Sequence, residues 1–229
     1  MNNKNQHQDI VALEIISELH NYCNYIFSSI ESKIYGKKVL DFGCGFGDFC
    51  KYLKYKKFNI EGFEPNNVAF EKASNKNIKI YQRLNQINGK YTTVTSLNVL
   101  EHIEDDKKAL SNIKDLLDTE GRLILYLPAK MFLWSQMDVL ANHYRRYEKS
   151  EIISKLEIVG FKIESIEYFD FIGWLVLTIF KLFKIKPKFN KKIIIFYDKF
   201  IFKNFKILDI LFKKIVGKNL LISAIYNKN

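Results

Sequence analysis

Residues 39–47 read Val39-Leu40-Asp41-Phe42-Gly43-Cys44-Gly45-Phe46-Gly47. An apolar run of strand character ends in a chain of alternating glycines. Glycine lets the backbone turn tightly and lets a ligand press against bare main chain. Helical periodicity begins at once in Phe49–Tyr55, so the turn joins a strand, Lys37–Phe42, to a helix. The first N–H groups of that helix lack partners within it and point toward the turn.

The alternation continues on both sides. Ile10, Leu13, Ile16, Leu19, Tyr22 and Ile26 recur at spacings of three or four, which predicts one helix from about Gln8 to Ile34, ended by Gly36. Further strands are predicted at Phe58–Phe63, Ile78–Tyr81, Tyr91–Leu97, Arg122–Leu127 and Phe161–Tyr168. Helices are predicted at Val68–Ala73, Asp105–Leu117 and Glu148–Val159, with a turn at Thr119-Glu120-Gly121. Short connections and near-continuous apolar strands predict an α/β fold, a doubly wound sheet covered on both faces. Ligands of such sheets bind at the carboxyl ends of the strands where the strand order reverses, so residues 43–47 form a cofactor loop by position as well as composition.

The chain has 229 residues, which suits a single domain, and 48% hydrophobic with 27% charged residues is an ordinary globular mix. The polar start, with no apolar run close behind it, predicts no secretory signal. Cys23, Cys44 and Cys50 lack metal-ligand spacing and predict reduced thiols and a cytoplasmic location. Charge is unevenly spread. Residues 171–229 hold 13 Lys against two acids, Asp198 and Asp209, so the whole formal charge of +11 lies there. Aromatics interleave with those lysines, as in Trp174, Phe180, Phe196 and Phe205. The longest uncharged run, Phe171–Phe180, is too short to span a bilayer. Two amphipathic helices, around 172–185 and 191–216, are predicted before a final strand, Asn219–Tyr226. Four readings of this basic segment stay open: a solvated face, a surface that meets an anionic membrane, a surface that binds single-stranded RNA, and a homodimer interface. Its aliphatic content, as in Ile193-Ile194-Ile195, disfavours nucleic acid. The membrane reading would make the protein peripheral at the inner face.

Glu64 closes the second strand, 17 residues beyond Gly47, where an acid can accept hydrogen bonds from two ribose hydroxyls. A dinucleotide fingerprint would need glycine at position 48, where Asp48 stands. An acid there repels a pyrophosphate but not a sulfonium cofactor, which favours S-adenosylmethionine over NAD. The plainer reading is a glycine turn with a surface Glu.

The stretch 39–47 resembles the first motif of class I S-adenosylmethionine-dependent methyltransferases. Gly62-Phe63-Glu64-Pro65 resembles their acidic second motif, and Ser96-Leu97-Asn98-Val99-Leu100-Glu101-His102-Ile103 the segment after their fourth strand. Ala141–Tyr147 resembles a loop of a bacterial subgroup akin to the ubiquinone-biosynthesis O-methyltransferases. The resemblance covers about 36–170, and 217–228 resembles that subgroup's closing antiparallel strand. It implies a Rossmann-like seven-stranded mixed sheet, with the basic aromatic helices of 171–216 inserted before the last strand. It divides the chain into an N-terminal helix (1–35), a cofactor-binding core (36–170), the insertion and a closing strand (217–229). Gly43, Cys44, Gly45 and Gly47 would line the methionine moiety, and Asp41 would orient the loop and help hold the amino group. Glu64, followed by Pro65, would hold the ribose. Gln82 stands where relatives often carry Asp and would flank the adenine, and Asn98 would face the methionine end.

The acceptor side is read from residue chemistry. A general base helps when the acceptor is a hydroxyl, and His102 and His143 are the two histidines outside the polar tail and first helix. Glu101 and His102 also resemble a metal-supporting pair, but Asn98 stands where a further acid is expected, so no metal is assigned. Arg145 and Arg146 form a pair able to clamp an anion, or to latch a lid through Glu148 and Glu151. Trp134, Met137 and Tyr144 are candidate walls for the acceptor. The expected function is methyl transfer to a hydroxyl of a small-molecule or lipid-linked acceptor. RNA methylation and a non-catalytic cofactor-binding scaffold are the alternatives.

Overall fold

A computed structural model describes residues 10, 11, 13–185 and 191–226. The expected helix start at Gln8, the end of the closing segment at 227–229, and 186–190 lie outside them. Seven strands form one sheet: β1 (Lys38–Phe42), β2 (Asn59–Phe63), β3 (Lys79–Tyr81), β4 (Tyr91–Leu97), β5 (Leu117–Pro128), β6 (Phe161–Phe169) and β7 (Asn219–Tyr226). Their order is β3-β2-β1-β4-β5-β7-β6. β7 runs antiparallel to both neighbours, while the pairings among β1 to β5 are parallel. The order reverses between β1 and β4, which opens the crevice beyond their carboxyl ends.

Side chains of a strand alternate between faces, and the core divides accordingly. Leu40, Leu123 and Leu125 face one apolar layer with Leu110, Ile113, Ile152 and Leu156. Val39, Ile124 and Tyr126 face the other, with Ile26, Ile30, Phe49 and Leu53. Both faces are covered, which is why most strands read as near-continuous apolar runs; β4 departs from this with buried Thr93, Thr95 and Ser96.

Two boundaries differ from expectation. β5 begins at Leu117, five residues early, and absorbs the predicted turn. Glu120 takes a left-handed φ of 61°, and the register jumps between Tyr91–Leu117 and Thr93–Arg122, so the turn residues become an irregularity within a longer strand. The single N-terminal helix is instead two: α1 (residues 10, 11 and 13–17) and α2 (His20–Glu31). The break has a chemical reason. Leu19, at the start of α2, has no side chain able to cap it. The Asn21 and Tyr22 N–H groups donate instead to the Asp198 carboxylate, at 3.2 and 2.8 Å, from across the molecule.

Asp198 belongs to the helical chain between β6 and β7. Where two helices are expected, around 172–185 and 191–216, that chain comprises α8 (Phe171–Leu182) and then a broken series: α9 (Lys191–Phe196), a π-helical stretch Tyr197–Phe202, α10 (Lys203–Phe205) and α11 (Leu208–Phe212). Along the core, α3 (Asp48–Tyr55), α4 (Asn67–Ser74), α5 (Asp106–Leu116), α6 (Gln136–Leu140) and α7 (Lys149–Val159) complete the helices. Three buried acids fasten the β6–β7 chain to the sheet. Asp198 caps α2. Asp209 accepts the Asp170 and Phe171 N–H groups, at 2.9 and 2.7 Å. Asp170 caps α8 through Gly173 N–H and pairs with Lys218 Nζ at 2.7 Å. Phe171 and Phe212 stack at 3.9 Å between ring centroids, joining the two ends.

Replacing Asp198 with Ala strips two N–H groups of α2 of their acceptor. The expected loss is about 1–3 kcal/mol, read as a lower urea midpoint at unchanged slope. Asp198→Asn keeps an acceptor oxygen and loses less.

Candidate active site

The glycine loop is tied down by β2. Gly43 and Cys44 N–H donate to Phe63 O at 2.8 and 3.0 Å, and Gly45 N–H donates to Glu64 Oε2 at 2.8 Å. Glu64 Oε1 accepts the Asn66 N–H at 2.9 Å, and Asn66 in turn caps α4. Gly43, Gly45 and Gly47 all have positive φ, so L side chains there are strained. A Cβ on Gly43 would lie 2.5 Å from Val99, and one on Gly45 would lie 2.9 Å from Leu13. The end of β4 and helix α1 therefore close on the loop from two sides. Gly62 leaves room for Cys44, whose Sγ would be 2.8 Å from a Cβ there.

Asp41 lies beneath the loop, 2% exposed. Thr95 donates to its Oδ1 at 2.8 Å and Cys50 to its Oδ2 at 3.6 Å. Burial outweighs these donors and pushes the carboxyl up to about 7. Asn98 follows β4 with a φ of 52°, its N–H on Tyr126 O at 2.8 Å, next to the Val99 that packs on Gly43. Gln82 leaves β3 and donates through Nε2 to Asn67 Oδ1. Pro65 is exposed just beyond Glu64. Asp41, Cys44, Gly45, Glu64 and Asn98 thus converge on the carboxyl ends of β1, β2 and β4.

The second cluster comes from two distant stretches. Tyr144 N–H donates to Glu101 O at 2.7 Å, drawing the connection after β5 onto the end of β4. The His102 and His143 rings meet edge to face at 4.7 Å. His143 Nδ1 lies 3.1 Å from Asp138 Oδ1, and Arg146 Nε lies 2.7 Å from the same oxygen. Burial works against Asp138, but the bonds from His143 and Arg146 prevail and bring it down to about 2. With Asp138 ionised, the imidazole proton belongs on Nδ1 and Nε2 is left as an acceptor. Burial, reinforced by His143, lowers His102 to about 4 and keeps it neutral. Glu101 is fully buried, and neither carboxylate oxygen has a hydrogen-bond partner among the described residues. Burial raises it to about 7 despite the pull of His143. Glu101, His102 and His143 each offer one ligand atom, all within 4.8 Å of one another.

The arginine pair is not an open clamp. Arg145 binds Asp106 at 2.8 Å and Glu104 O at 2.7 Å, and Arg146 is buried on Asp138 and Ala129 O. Neither uses Glu148 or Glu151 as a latch: Glu148 accepts the Met131 N–H, and Glu151 pairs with Lys155. Tyr144 is exposed, while Trp134 is half-buried and its carbonyl accepts Lys181 Nζ at 3.0 Å. Sequence reasoning missed Asp138 and treated Glu101 only as half of a motif. The signal available was the spacing of Asp138 and His143, an acid in the first turn of a short helix and a histidine three residues past its end.

Residues 14–166 match the methyltransferase domain family. The ubiquinone biosynthesis O-methyltransferase of Actinobacillus pleuropneumoniae is 30% identical over 105 residues, 39% of this chain and 45% of that one. The mitochondrial enzyme of the same name from Schizosaccharomyces pombe is 27% identical over 124 residues, 48% of this chain and 45% of that one. The alignments thus span under half the length of these relatives. Among solved structures, the magnesium protoporphyrin IX methyltransferase of Synechocystis with bound S-adenosylmethionine aligns over 99% of this chain and 85% of that one, at 17% identity and TM-score 0.55. A possible histamine N-methyltransferase of Thermotoga maritima aligns over 93% and 89%, at 16% identity and TM-score 0.57. Likeness at this identity bears on the fold, and it is that of class I methyltransferases. With its glycine loop, Glu64 and the Glu101–His102 segment all inside the family match, this chain belongs to the methyltransferase domain family.

Proposed function

We propose that the protein transfers a methyl group from S-adenosylmethionine to a hydroxyl of a small-molecule or lipid-linked acceptor. The family match and the solved relatives bearing this cofactor or its product support the cofactor. The residues fit it. The loop is bare backbone at Gly43, Gly45 and Gly47, and a carboxylate offers about four acceptor positions. Glu64 can therefore accept ribose hydroxyls beside its loop N–H groups. Asp48 stands where a dinucleotide loop would carry glycine, and its carboxylate pairs with Lys76. When bound, the cofactor supplies a methyl group already activated by a sulfonium. The protein's work is alignment and exclusion of water.

The observation that carries the hydroxyl reading is the Asp138–His143 pair set against Glu101 and His102. Asp138 fixes the His143 tautomer, Arg146 keeps Asp138 ionised, and His143 Nε2 takes the acceptor's proton. His102, held neutral, forms the edge-on wall beside it. Trp134 and Tyr144 border the acceptor, and Arg145 holds the connection shut through Asp106. The ubiquinone-pathway relatives are O-methyltransferases by name, which agrees with this reading.

The same trio carries a second reading. One carboxylate and two imidazoles suit a divalent cation such as zinc, with Asp138 as the outer carboxylate that orients His143. A cation there would polarise the acceptor hydroxyl.

Three outcomes are expected. In an acceptor screen with radiolabelled cofactor, His143→Asn lowers kcat by about 10²–10⁴ while cofactor affinity, read by calorimetry, stays within twofold; an unchanged kcat ends the base assignment. Asp41 is protonated below about 7, and the cofactor's ammonium favours its ionised form. Cofactor affinity therefore rises with pH up to about 7, by at most about tenfold per unit, and levels off above; Asp41→Asn should flatten this rise. Chelation abolishes turnover, restorable by added zinc or magnesium, if the trio holds a cation. Turnover that survives chelation leaves His143 as the proton acceptor.

A further inference from the structure

The basic segment does not expose both kinds of charge. Its two acids, Asp198 and Asp209, are 2% and 4% exposed and are consumed in fastening the segment to the core. Lys184, Lys199, Lys203 and Lys214 remain exposed. What residues 171–216 present to solvent is therefore cationic and apolar, with no acidic side chain exposed among the described residues.

The apolar part is ordered into stripes. Of the 24 large apolar side chains exposed among the described residues, 13 fall in this segment, a density that marks an interaction surface rather than scattered exposure. On α8, Leu175, Ile179 and Leu182 recur at helical spacing and Phe183 follows at its end, with Leu182 and Phe183 68% and 73% exposed. Phe196 and Phe200 lie against each other at 4.9 Å, both more than half exposed. Helix α8 also packs on the Met131–Leu133 turn and is tied to it by Lys181 on Trp134 O, so exposed Met131 and Phe132 adjoin the same region. No helix among the described residues is long and apolar enough to cross a membrane.

We propose that residues 171–216 dock the protein on an anionic lipid bilayer. The apolar stripes enter the boundary between headgroups and chains, and the lysines meet lipid phosphates. A solvated face would not place aromatic and aliphatic side chains outward at helical spacing. A second copy of this chain would bring two cationic faces together without carboxylates between them. The surface adjoins the connection that carries Trp134 and His143. Docking there sets the acceptor side of the proposed methyl-transfer site beside the bilayer, so the lipid-linked class of acceptor follows from it.

The test is co-sedimentation of the full chain with vesicles of phosphatidylcholine alone or with phosphatidylglycerol added. Binding is expected only to the anionic vesicles and should fall at 0.5 M salt. Each lysine at such a surface contributes about fivefold, so Lys199→Gln, Lys203→Gln and Lys214→Gln together should weaken partitioning on the order of 100-fold. Leu182→Ser with Phe183→Ser should weaken it by more than about tenfold. Circular dichroism and cofactor affinity, both unchanged, verify folding in each variant. Equal binding to both vesicle types, or binding to neither, overturns the proposal. So does tight binding of single-stranded RNA, or a dimer dissolved by the Leu182/Phe183 pair, where vesicles are not bound. The readout needs no turnover, so its failure and failure of the methyl-transfer reading are separable.

Discussion

A carboxylate taken out of water loses several kcal/mol of hydration unless N–H groups or cations replace it. Among the described residues eight are buried: Asp41, Glu64, Glu101, Asp106, Asp138, Asp170, Asp198 and Asp209. How each is compensated divides architecture from chemistry. Asp106 receives Tyr147, Lys155 and Arg145, and Asp170 receives Lys218, Tyr197 and Gly173. Such acids are rivets. Asp41 and Glu101 are undersupplied, and burial pushes both up to about 7. They lie at the carboxyl ends of the two strands between which the sheet order reverses, where a ligand can supply what the protein withholds.

The same constraint shapes the chain between β6 and β7. Its helices are short and broken and keep many apolar side chains outward; Phe202, buried against Tyr22 and Tyr25, and the Phe171–Phe212 stack give it apolar anchors, but none of these reaches main-chain N–H groups. Asp198 and Asp209 do. Each reaches backbone N–H groups at the start of a helix elsewhere, α2 for one and α8 for the other. The break between α1 and α2 is the counterpart of the Asp198 bond, since an uninterrupted helix would have no first turn to cap. Local sequence around Leu19 contains no such instruction, and helical periodicity ran through it.

Legibility follows the range of the contacts. The strands, their order-reversal point and the glycine loop rest on nearest-neighbour patterns: apolar runs, glycines with positive φ, and an acid one strand away. Glu64 was readable because it ends a strand that pairs with β1, and it lies within hydrogen-bond reach of the loop. The start of β5 was misread because Thr119-Glu120-Gly121 carries turn chemistry that the sheet accommodates as an irregularity. Arg145 and Arg146 were read against Glu148 and Glu151, neighbours in sequence. Their partners, Asp106 and Asp138, are settled by tertiary placement. The segment expected as two basic helices is helical in several short pieces, and what fastens them does not show in their own periodicity.

The pairing at Asp138 shows why the acceptor side resists reading from a linear pattern. One oxygen serves both His143 and Arg146. His143 and Arg146 together, with the Ser135 N–H, offset the burial that works against an ionised Asp138. The guanidinium therefore acts through the carboxylate on the imidazole, and its bond to Ala129 O anchors that arrangement at the end of β5. A residue that resembles an anion clamp in sequence is, in the fold, a support for the carboxylate that faces His143.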